Sequence, residues 1–201
     1  MAKTSRDSGP RPAAVIVTRA PWLPSGAGQE LASAMREDLS ELLGSLRLRI
    51  EPAPDATPAD IVRIFNREKR PLLLAFTDVP ALPALSVEGA LEELAENAVV
   101  VGPCADGAVY LLGMAPGLDD DIVQQLAEAA CGAAHDALGA VTDIVDVEDL
   151  PVVLLPPWLR IGSDKDLSFA ENVARLSLMS ADGEEDFLAD RLRLWFERHA
   201  T

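Results

Sequence analysis

Short apolar runs alternate with amphipathic segments along this chain, and the two patterns predict buried strands separated by helices. An apolar run bounded by turn residues suits a strand that is buried on both faces of a parallel sheet. The runs of this kind are 13–18, 71–76, 98–102, 108–114 and 151–155. The segment 46–50 alternates apolar and basic residues, which also favours a strand.

Apolar residues three or four positions apart predict the helices. The clearest helix covers 29–43, and its single apolar stripe consists of Leu31, Met35, Leu39, Leu42 and Leu43. A second helix covers 57–68, with Thr57 as the N-cap and Pro58 at the first helical position. Further helices are predicted around 87–94, 120–130, 165–178 and 184–198.

The order of these elements predicts an α/β sandwich with helices on both faces of a mostly parallel central sheet. Too few residues separate 98–102 from 108–114 for a crossover helix, so 108–114 should be an antiparallel strand. Val15, Leu73 and Val100 should lie on adjacent, buried parallel strands. Without internal repeats or a linker, we predict a single domain at 13–201 after a disordered tail at 1–12.

Charge and composition narrow the classes of partner. The 201 residues carry a net charge of −16, which repels nucleic acid and anionic membranes. A nucleotide is not excluded, because backbone N–H groups or a bound metal can reverse the charge locally. Cys104 and Cys131 lack a metal-binding spacing, and no apolar run is long enough for a signal peptide or a membrane span. We therefore expect a cytoplasmic protein.

Candidate chemistry begins with Asp78, which follows the central strand at the edge where open α/β sheets bind ligands. Its carboxylate either holds a divalent cation that bridges nucleotide phosphates, or serves as a turn or helix-cap residue. Gly102 and Gly107 permit a tight turn with positive φ, and Asp106 should lie beside the same edge. The alternative for Asp106 and Gly107 is a β-turn that only reverses the chain. We expect the carboxylates of Asp78 and Asp106 to face one cleft.

These residues belong to two motifs, Asp-x-Pro-x-Leu and Gly-Pro-x-x-Asp-Gly-x-x-Tyr-Leu-x-Gly. The residues that form them are Asp78, Pro80, Leu82, Gly102, Pro103, Asp106, Gly107, Tyr110, Leu111 and Gly113. The pair resembles the signature of a bacterial family of unknown function that is classed with the glycosyltransferase-A superfamily, which includes the molybdenum-cofactor guanylyltransferases.

That resemblance implies a glycosyltransferase-A-like, Rossmann-like three-layer sandwich that transfers a nucleotidyl or sugar group. It also implies that Asp78 holds Mg²⁺ or Mn²⁺. The partner would be a nucleotide or a nucleotide-sugar, bound beside Gly102, Asp106 and Gly107.

The chain departs from the family pattern after the first strand. Relatives carry a basic Gly-x-x-Lys-Thr-Arg-Leu segment there, whose cations would neutralise phosphate. In this chain the corresponding segment, 19–31, has Arg19 as its only basic residue. Gly26 and Gly28 either offer backbone donors to the nucleotide or simply form a flexible loop.

A second departure lies in the segment 154–167, which resembles the family's Leu-Pro-Pro-Trp-x-Asp-x-Asp-Thr-Pro-x-Asp-Leu sequence. Arg160 and Gly162 occupy the two positions where relatives place metal-facing aspartates, and arginine cannot ligate Mg²⁺. Asp164 would substitute only after a slip of two residues. Arg160 would instead supply a metal-independent contact to phosphate. In the other motif, Ala108 replaces a family glycine.

The remaining candidates have plain structural alternatives. His135 and Asp136 form either an acid–base pair or a solvated helix end. Asp119–Asp121 are expected to begin a helix. The acidic residues Asp143, Asp146, Glu148 and Asp149 are expected in a solvated loop, with cation binding as the alternative. Two functions remain open: a metal-dependent nucleotidyl- or glycosyltransferase, or a degenerate member that serves as a binding or interaction module.

Overall fold

A computed structural model describes residues 11–19, 28–51, 55–132, 136–179 and 190–199. Most of the predicted tail at 1–12 lies outside these residues, as do Gly26, His135 and the first part of the predicted helix at 184–198. Among the described helices, none combines the length and hydropathy that a membrane span requires.

A six-stranded sheet forms the centre of the fold, in the order β2-β1-β3-β5-β4-β6. The strands are β1 (Ala13–Val17), β2 (Arg49–Glu51), β3 (Leu72–Phe76), β4 (Val99–Pro103), β5 (Val109–Met114) and β6 (Val152–Leu154). β5 runs antiparallel to both of its neighbours, and the other strand pairs are parallel. The predicted α/β class, with a mostly parallel sheet and one antiparallel strand, is confirmed.

Helices connect the strands and cover the sheet. They are α1 (Gly28–Ser45), α2 (Pro58–Glu68), α3 (Ala84–Glu93), α4 (Asp120–Cys131), α5 (Ala137–Val147), α6 (Asp164–Met179) and α7 (Asp190–His199). The chain moves in one direction from β1 to β2 and in the other from β2 to β3, so right-handed crossovers put α1 and α2 on opposite faces. On its face α2 packs against α4, and α4 packs against α5.

The sequence patterns that predicted the first two helices, α1 and α2, are confirmed. All five residues of the apolar stripe on α1 are buried. Thr57 caps α2, since its hydroxyl accepts from the Asp60 amide while the Asp60 carboxylate accepts from the Thr57 amide. This reciprocal pair satisfies two backbone donors that the first turn of a helix otherwise leaves without partners.

The predicted adjacency of Val15, Leu73 and Val100 is wrong in part. All three are buried, and β1 and β3 are parallel neighbours. β5, however, lies between β3 and β4, where Gly113 pairs with both Leu73 and Val100. In this hairpin, β5 could pair with either edge of β4, and the sequence pattern does not distinguish the two edges.

Two further expectations are corrected. Only the last part of the predicted strand at 46–50 pairs with β1, because Arg47 has a φ of 61° and belongs to a turn. Asp143 and Asp146 lie on α5 and not in a loop, while Glu148 and Asp149 form the turn after it. α5 forms because Ala137 and Val141 are buried against the main core, which compensates for its acidic outer face.

The apolar interior has two parts. The main core surrounds the sheet. A smaller cluster joins the start of α1 to α6 and α7, and consists of Leu31, Met35, Ile161, Ala170, Ala174, Leu192, Trp195 and Phe196. Ile161 follows Arg160, so this second core fixes the chain beside the candidate site.

Candidate functional site

The candidate site lies at the point where the strand order reverses. β1 and β3 are parallel neighbours whose last residues, Val17 and Phe76, are paired. Each strand is followed two residues later by a charged residue, Arg19 after β1 and Asp78 after β3. Open α/β sheets bind ligands at this switch point, outside the carboxyl ends of the strands.

Asp78 is completely buried. Its Oδ2 atom accepts from Arg19 Nη1 at 3.4 Å and from Arg160 Nη1 at 3.2 Å. Among the described residues, no donor reaches its Oδ1 atom. A buried carboxylate is strongly unfavourable unless cations or hydrogen bonds compensate it, and here the guanidinium groups of Arg19 and Arg160 provide that compensation.

Arg19 is itself 6% exposed. Its Nη2 atom donates to the carbonyl oxygens of Val109 at 2.9 Å and Ala130 at 3.0 Å. The guanidinium carbon lies 3.8 Å from the centre of the Phe76 ring. Arg19 is therefore fixed by the backbone of β5 and α4 and by a cation–π contact.

Arg160 connects Asp78 to Asp106. Its Nε atom donates to Asp106 Oδ2 at 2.6 Å while its Nη1 atom contacts Asp78. Burial by itself lowers the pKa of Arg160, but the hydrogen bonds to Asp106 and Asp78 raise that pKa above its ordinary value. The guanidinium therefore remains charged.

Asp106 lies in the turn between β4 and β5. Its side chain is 44% exposed, and its Oδ1 atom accepts from the Ala108 amide at 3.2 Å. Gly107 has a φ of 86°, as predicted for a glycine in this turn. The turn closes with a hydrogen bond from the Cys104 amide to the Ala108 carbonyl at 2.8 Å.

Gly102 is not part of the tight turn that the sequence predicted for it. It lies within β4, paired with Leu111, and not at a residue with positive φ. A Cβ atom at this position would come within 2.5 Å of the Tyr110 ring. Glycine is needed because the ring of Tyr110 lies directly over the strand, and the Tyr110 hydroxyl donates to the Pro156 carbonyl at 2.9 Å.

Cys104 lies next to the charged cluster. Burial, followed by the nearby carboxylates of Asp106 and Asp78, raises the pKa of its thiol to about 12. Arg19 and Arg160 only partly offset these effects. Because the thiolate is the reactive form of cysteine, Cys104 is not suited to be a nucleophile at neutral pH.

A divalent cation does not fit the residues in this arrangement. The Oδ2 atom of Asp78 is already bound by two guanidinium groups, and arginine repels metal ions. Within the described ranges, no group of three or more His, Cys, Asp or Glu side chains is placed to hold a metal. The candidate cation position is occupied by Arg160.

The structure brings together some of the predicted site residues. Asp78, Asp106 and Arg160 form one connected cluster, and Gly107 shapes the turn beside it. Gly28 is instead the first residue of α1, and Asp164 is an exposed first residue of α6. The segment after Arg160 is fixed by Asp166. The Asp166 carboxylate accepts from the Gly162 amide and the Ser163 hydroxyl.

The contact between Arg19 and Asp78 was not predicted. A usable signal was present, because both residues lie two positions beyond adjacent buried strands. Strands of equal length that start in register also end together, which places the residues after them side by side.

Comparisons with solved structures agree with this fold. A protein from Desulfovibrio desulfuricans G20 named "putative nucleotide-diphospho-sugar transferase" is similar with a TM-score of 0.65 and 16% identity, over 92% of this chain and 97% of that chain. 4-Diphosphocytidyl-2C-methyl-D-erythritol synthase from Anaerococcus prevotii DSM 20548 is similar with a TM-score of 0.51 and 11% identity, over 83% of this chain and 100% of that one. At these identities the likeness concerns the fold alone.

No curated protein matches the sequence significantly. A family match is found for residues 24–128, which make up more than half of the chain. The matched part includes Asp78 after β3 and the turn with Asp106 and Gly107. The chain therefore belongs to the family DUF2064, which is described as "Uncharacterized protein conserved in bacteria".

Proposed function

We propose that this protein is a non-catalytic member of a transferase-fold family and acts as a binding or interaction module. The observation that carries the proposal is the state of Asp78, which is completely buried and paired with Arg19 and Arg160. A carboxylate in this environment does not present its oxygens to a metal–nucleotide complex. The transferase scaffold is retained, while metal-dependent nucleotidyl or glycosyl transfer is not supported.

The expected affinity for nucleotides follows from the charges. A transferase of this type offsets phosphate charge with a divalent cation and basic side chains, and each charge-assisted contact contributes on the order of 1.5–3 kcal/mol. The Lys-Thr-Arg segment is absent and Arg160 is already paired with two carboxylates. Losing two such contacts, about 3–6 kcal/mol, would weaken a micromolar dissociation constant by roughly two to four powers of ten.

Calorimetric titration of nucleoside triphosphates and nucleotide-sugars, with and without Mg²⁺, tests this proposal. We expect dissociation constants near millimolar or weaker under both conditions. Asp78→Asn should leave this weak binding unchanged, and Asp121→Asn, an exposed carboxylate on α4, is the matched control.

Low-micromolar, Mg²⁺-dependent binding that is lost in Asp78→Asn but kept in Asp121→Asn would overturn the proposal and restore a transferase. Equally tight binding without Mg²⁺, lost in Arg160→Gln, would instead assign a phosphate contact to Arg160.

A further inference from the structure

The two edge strands of the sheet differ in how they are protected against pairing with another chain. β2 and β6 lie at the two ends of the strand order. On β2, Arg49 is bound to the carboxylates of Glu51 and Glu68, and charged residues on an edge strand oppose the addition of a further strand. β6, Val152–Leu154, consists of two valines and a leucine. The edge formed by β6 therefore lacks this protection.

The backbone of β6 has hydrogen-bonding groups directed towards its free edge. The Pro151 carbonyl accepts from the Val99 amide at 3.1 Å, and the Leu155 amide donates to a carbonyl of β4 at 2.9 Å. Because alternate residues of a strand direct their backbone groups to opposite sides, those of Val152 and Leu154 point away from β4. In the part of the chain that the structure describes, no further strand pairs with them.

The side chains of Val152 and Leu154 are exposed on one face of β6. They are 40% and 65% exposed, whereas their partners on β4, Val99 and Val101, are buried. Paired residues of neighbouring strands lie on the same face, so the layer that covers β4 does not extend over β6. The edge thus offers both elements of recognition by strand addition, which are main-chain hydrogen bonds and contacts with alternate side chains.

Four carboxylates belong to the segment that leads into β6. Asp143 and Asp146 are exposed on α5, and Glu148 and Asp149 are exposed in the turn before β6. Within the described ranges, none of the four is paired with a cation. A second copy of this chain would bring the same carboxylates to a two-fold contact, where they would repel one another. A partner that carries lysine or arginine would be attracted instead.

We propose that the free edge of β6 is a docking surface for an extended basic peptide. The peptide pairs with the backbone of Val152 and Leu154 and packs apolar side chains on theirs. Its lysine or arginine side chains lie beside Glu148 and Asp149. The inference rests on the proposed function in that it gives the interaction module a class of partner.

The probe is the peptide Lys-Lys-Val-Thr-Val-Thr-Lys-Lys with a fluorescent label, and its anisotropy is followed during titration with the full chain. Two further peptides carry N-methyl groups on both valines or on both threonines. Because the valines must share the face of Val152 and Leu154, only one of the two sets of amides points at β6. We expect one methylated peptide to bind like the parent and the other at least about tenfold more weakly.

Equal binding of the three peptides would overturn the proposal, because attraction between charges alone does not distinguish the two sets of amides. Absence of binding by the parent peptide would overturn it as well.

Variants of the protein test the same edge. Leu154→Lys should bind the parent peptide at least about tenfold more weakly, because it removes an apolar contact and adds a like charge. Leu176→Lys is the matched control, since Leu176 is 67% exposed on α6. The double variant Glu148→Gln, Asp149→Asn should bind more weakly and with less dependence on salt. Equal affinity of the two lysine variants would contradict the assignment of the edge.

Analytical ultracentrifugation tests the other occupant. Self-association of the unchanged protein that is lost in Leu154→Lys but kept in Leu176→Lys would assign the edge to a second copy of the chain and would overturn the proposal. Tight Mg²⁺-nucleotide binding by the unchanged protein would contradict the proposed function but would leave the comparison of peptides intact.

Discussion

Single side chains at the strand ends determine how closely the elements of this protein approach one another. The fully buried Tyr110 is the clearest case, since its ring lies on Gly102 and its hydroxyl bonds to the Pro156 carbonyl. This contact joins β4, β5 and the segment that leads to Arg160. The position of the candidate site therefore depends on the glycine at position 102 in β4.

Gly102→Ala is predicted to destabilise the protein by about 1–3 kcal/mol, because the added methyl group overpacks the ring of Tyr110. Gly89→Ala is the control: apart from the backbone of its own helix turn and its chain neighbours, no atom lies within 4 Å of a Cβ at this position on α3, so alanine should stabilise the helix by up to about 1 kcal/mol. Urea unfolding of both variants measures the difference. Equal stability of the two variants would show that the Tyr110 ring moves away at no cost.

At the scale of elements, the packing of α7 against α1 depends on one buried carboxylate. Asp38 on α1 accepts from the Leu192 amide at 2.9 Å and from the Arg191 amide at 3.2 Å. Arg191 Nη1 also donates to Asp38, at 3.1 Å. Because the first turn of α7 has unpaired amides and a partial positive charge, the Asp38 carboxylate caps this helix from a neighbouring one.

Asp38→Ala should therefore destabilise the protein by about 2–4 kcal/mol, since it leaves the Arg191 and Leu192 amides of the first turn of α7 without their acceptor. The control is Glu41→Ala, which removes a 69% exposed partner of the same arginine and should cost less than about 1 kcal/mol. Urea unfolding measures both values. A cost for Asp38→Ala no larger than that of the control would contradict the capping role.

For the whole molecule, ionisation of buried groups links stability to pH. Burial raises the pKa of Cys104 to about 12 and that of Cys131 to about 11, from an ordinary value of 9.0. A raised pKa means that the folded state disfavours the thiolate. The resulting stability is fully present below pH 9 and is lost as the pH rises towards 11 and 12.

The midpoint of thermal unfolding should accordingly fall steeply above about pH 9. Cys104→Ser, whose hydroxyl does not titrate, should flatten this fall, and the rise of the Cys104 pKa from 9.0 to about 12 corresponds to at most about 4 kcal/mol. Cys131→Ser should flatten it less, since its pKa is shifted less. Parallel pH profiles for the unchanged protein and Cys104→Ser would show that Cys104 is not the group that titrates.

Much of the architecture was accessible from the sequence because it depends on local patterns. The apolar stripe of α1, the cap at Thr57 and the buried runs of β1, β3, β4 and β5 each depend on residues close together in the chain. The family resemblance likewise depended on motifs within a short segment, and the family match confirms it. The metal at Asp78 and the nucleotide contacts at Gly26, Gly28, Gly102, Asp106, Gly107 and Arg160 stay predictions.

By itself, then, the sequence determined the class of fold, the hairpin of β4 and β5 and the edge of the sheet where Asp78 and Asp106 would lie. Only the tertiary structure decided that β5 separates β3 from β4, that Tyr110 requires Gly102, and that Arg160 bridges the two carboxylates. The physical reason is distance along the chain: strand order and ion pairs join residues tens of positions apart. Those contacts are selected by the packing of the whole core and leave no periodic signal in the sequence.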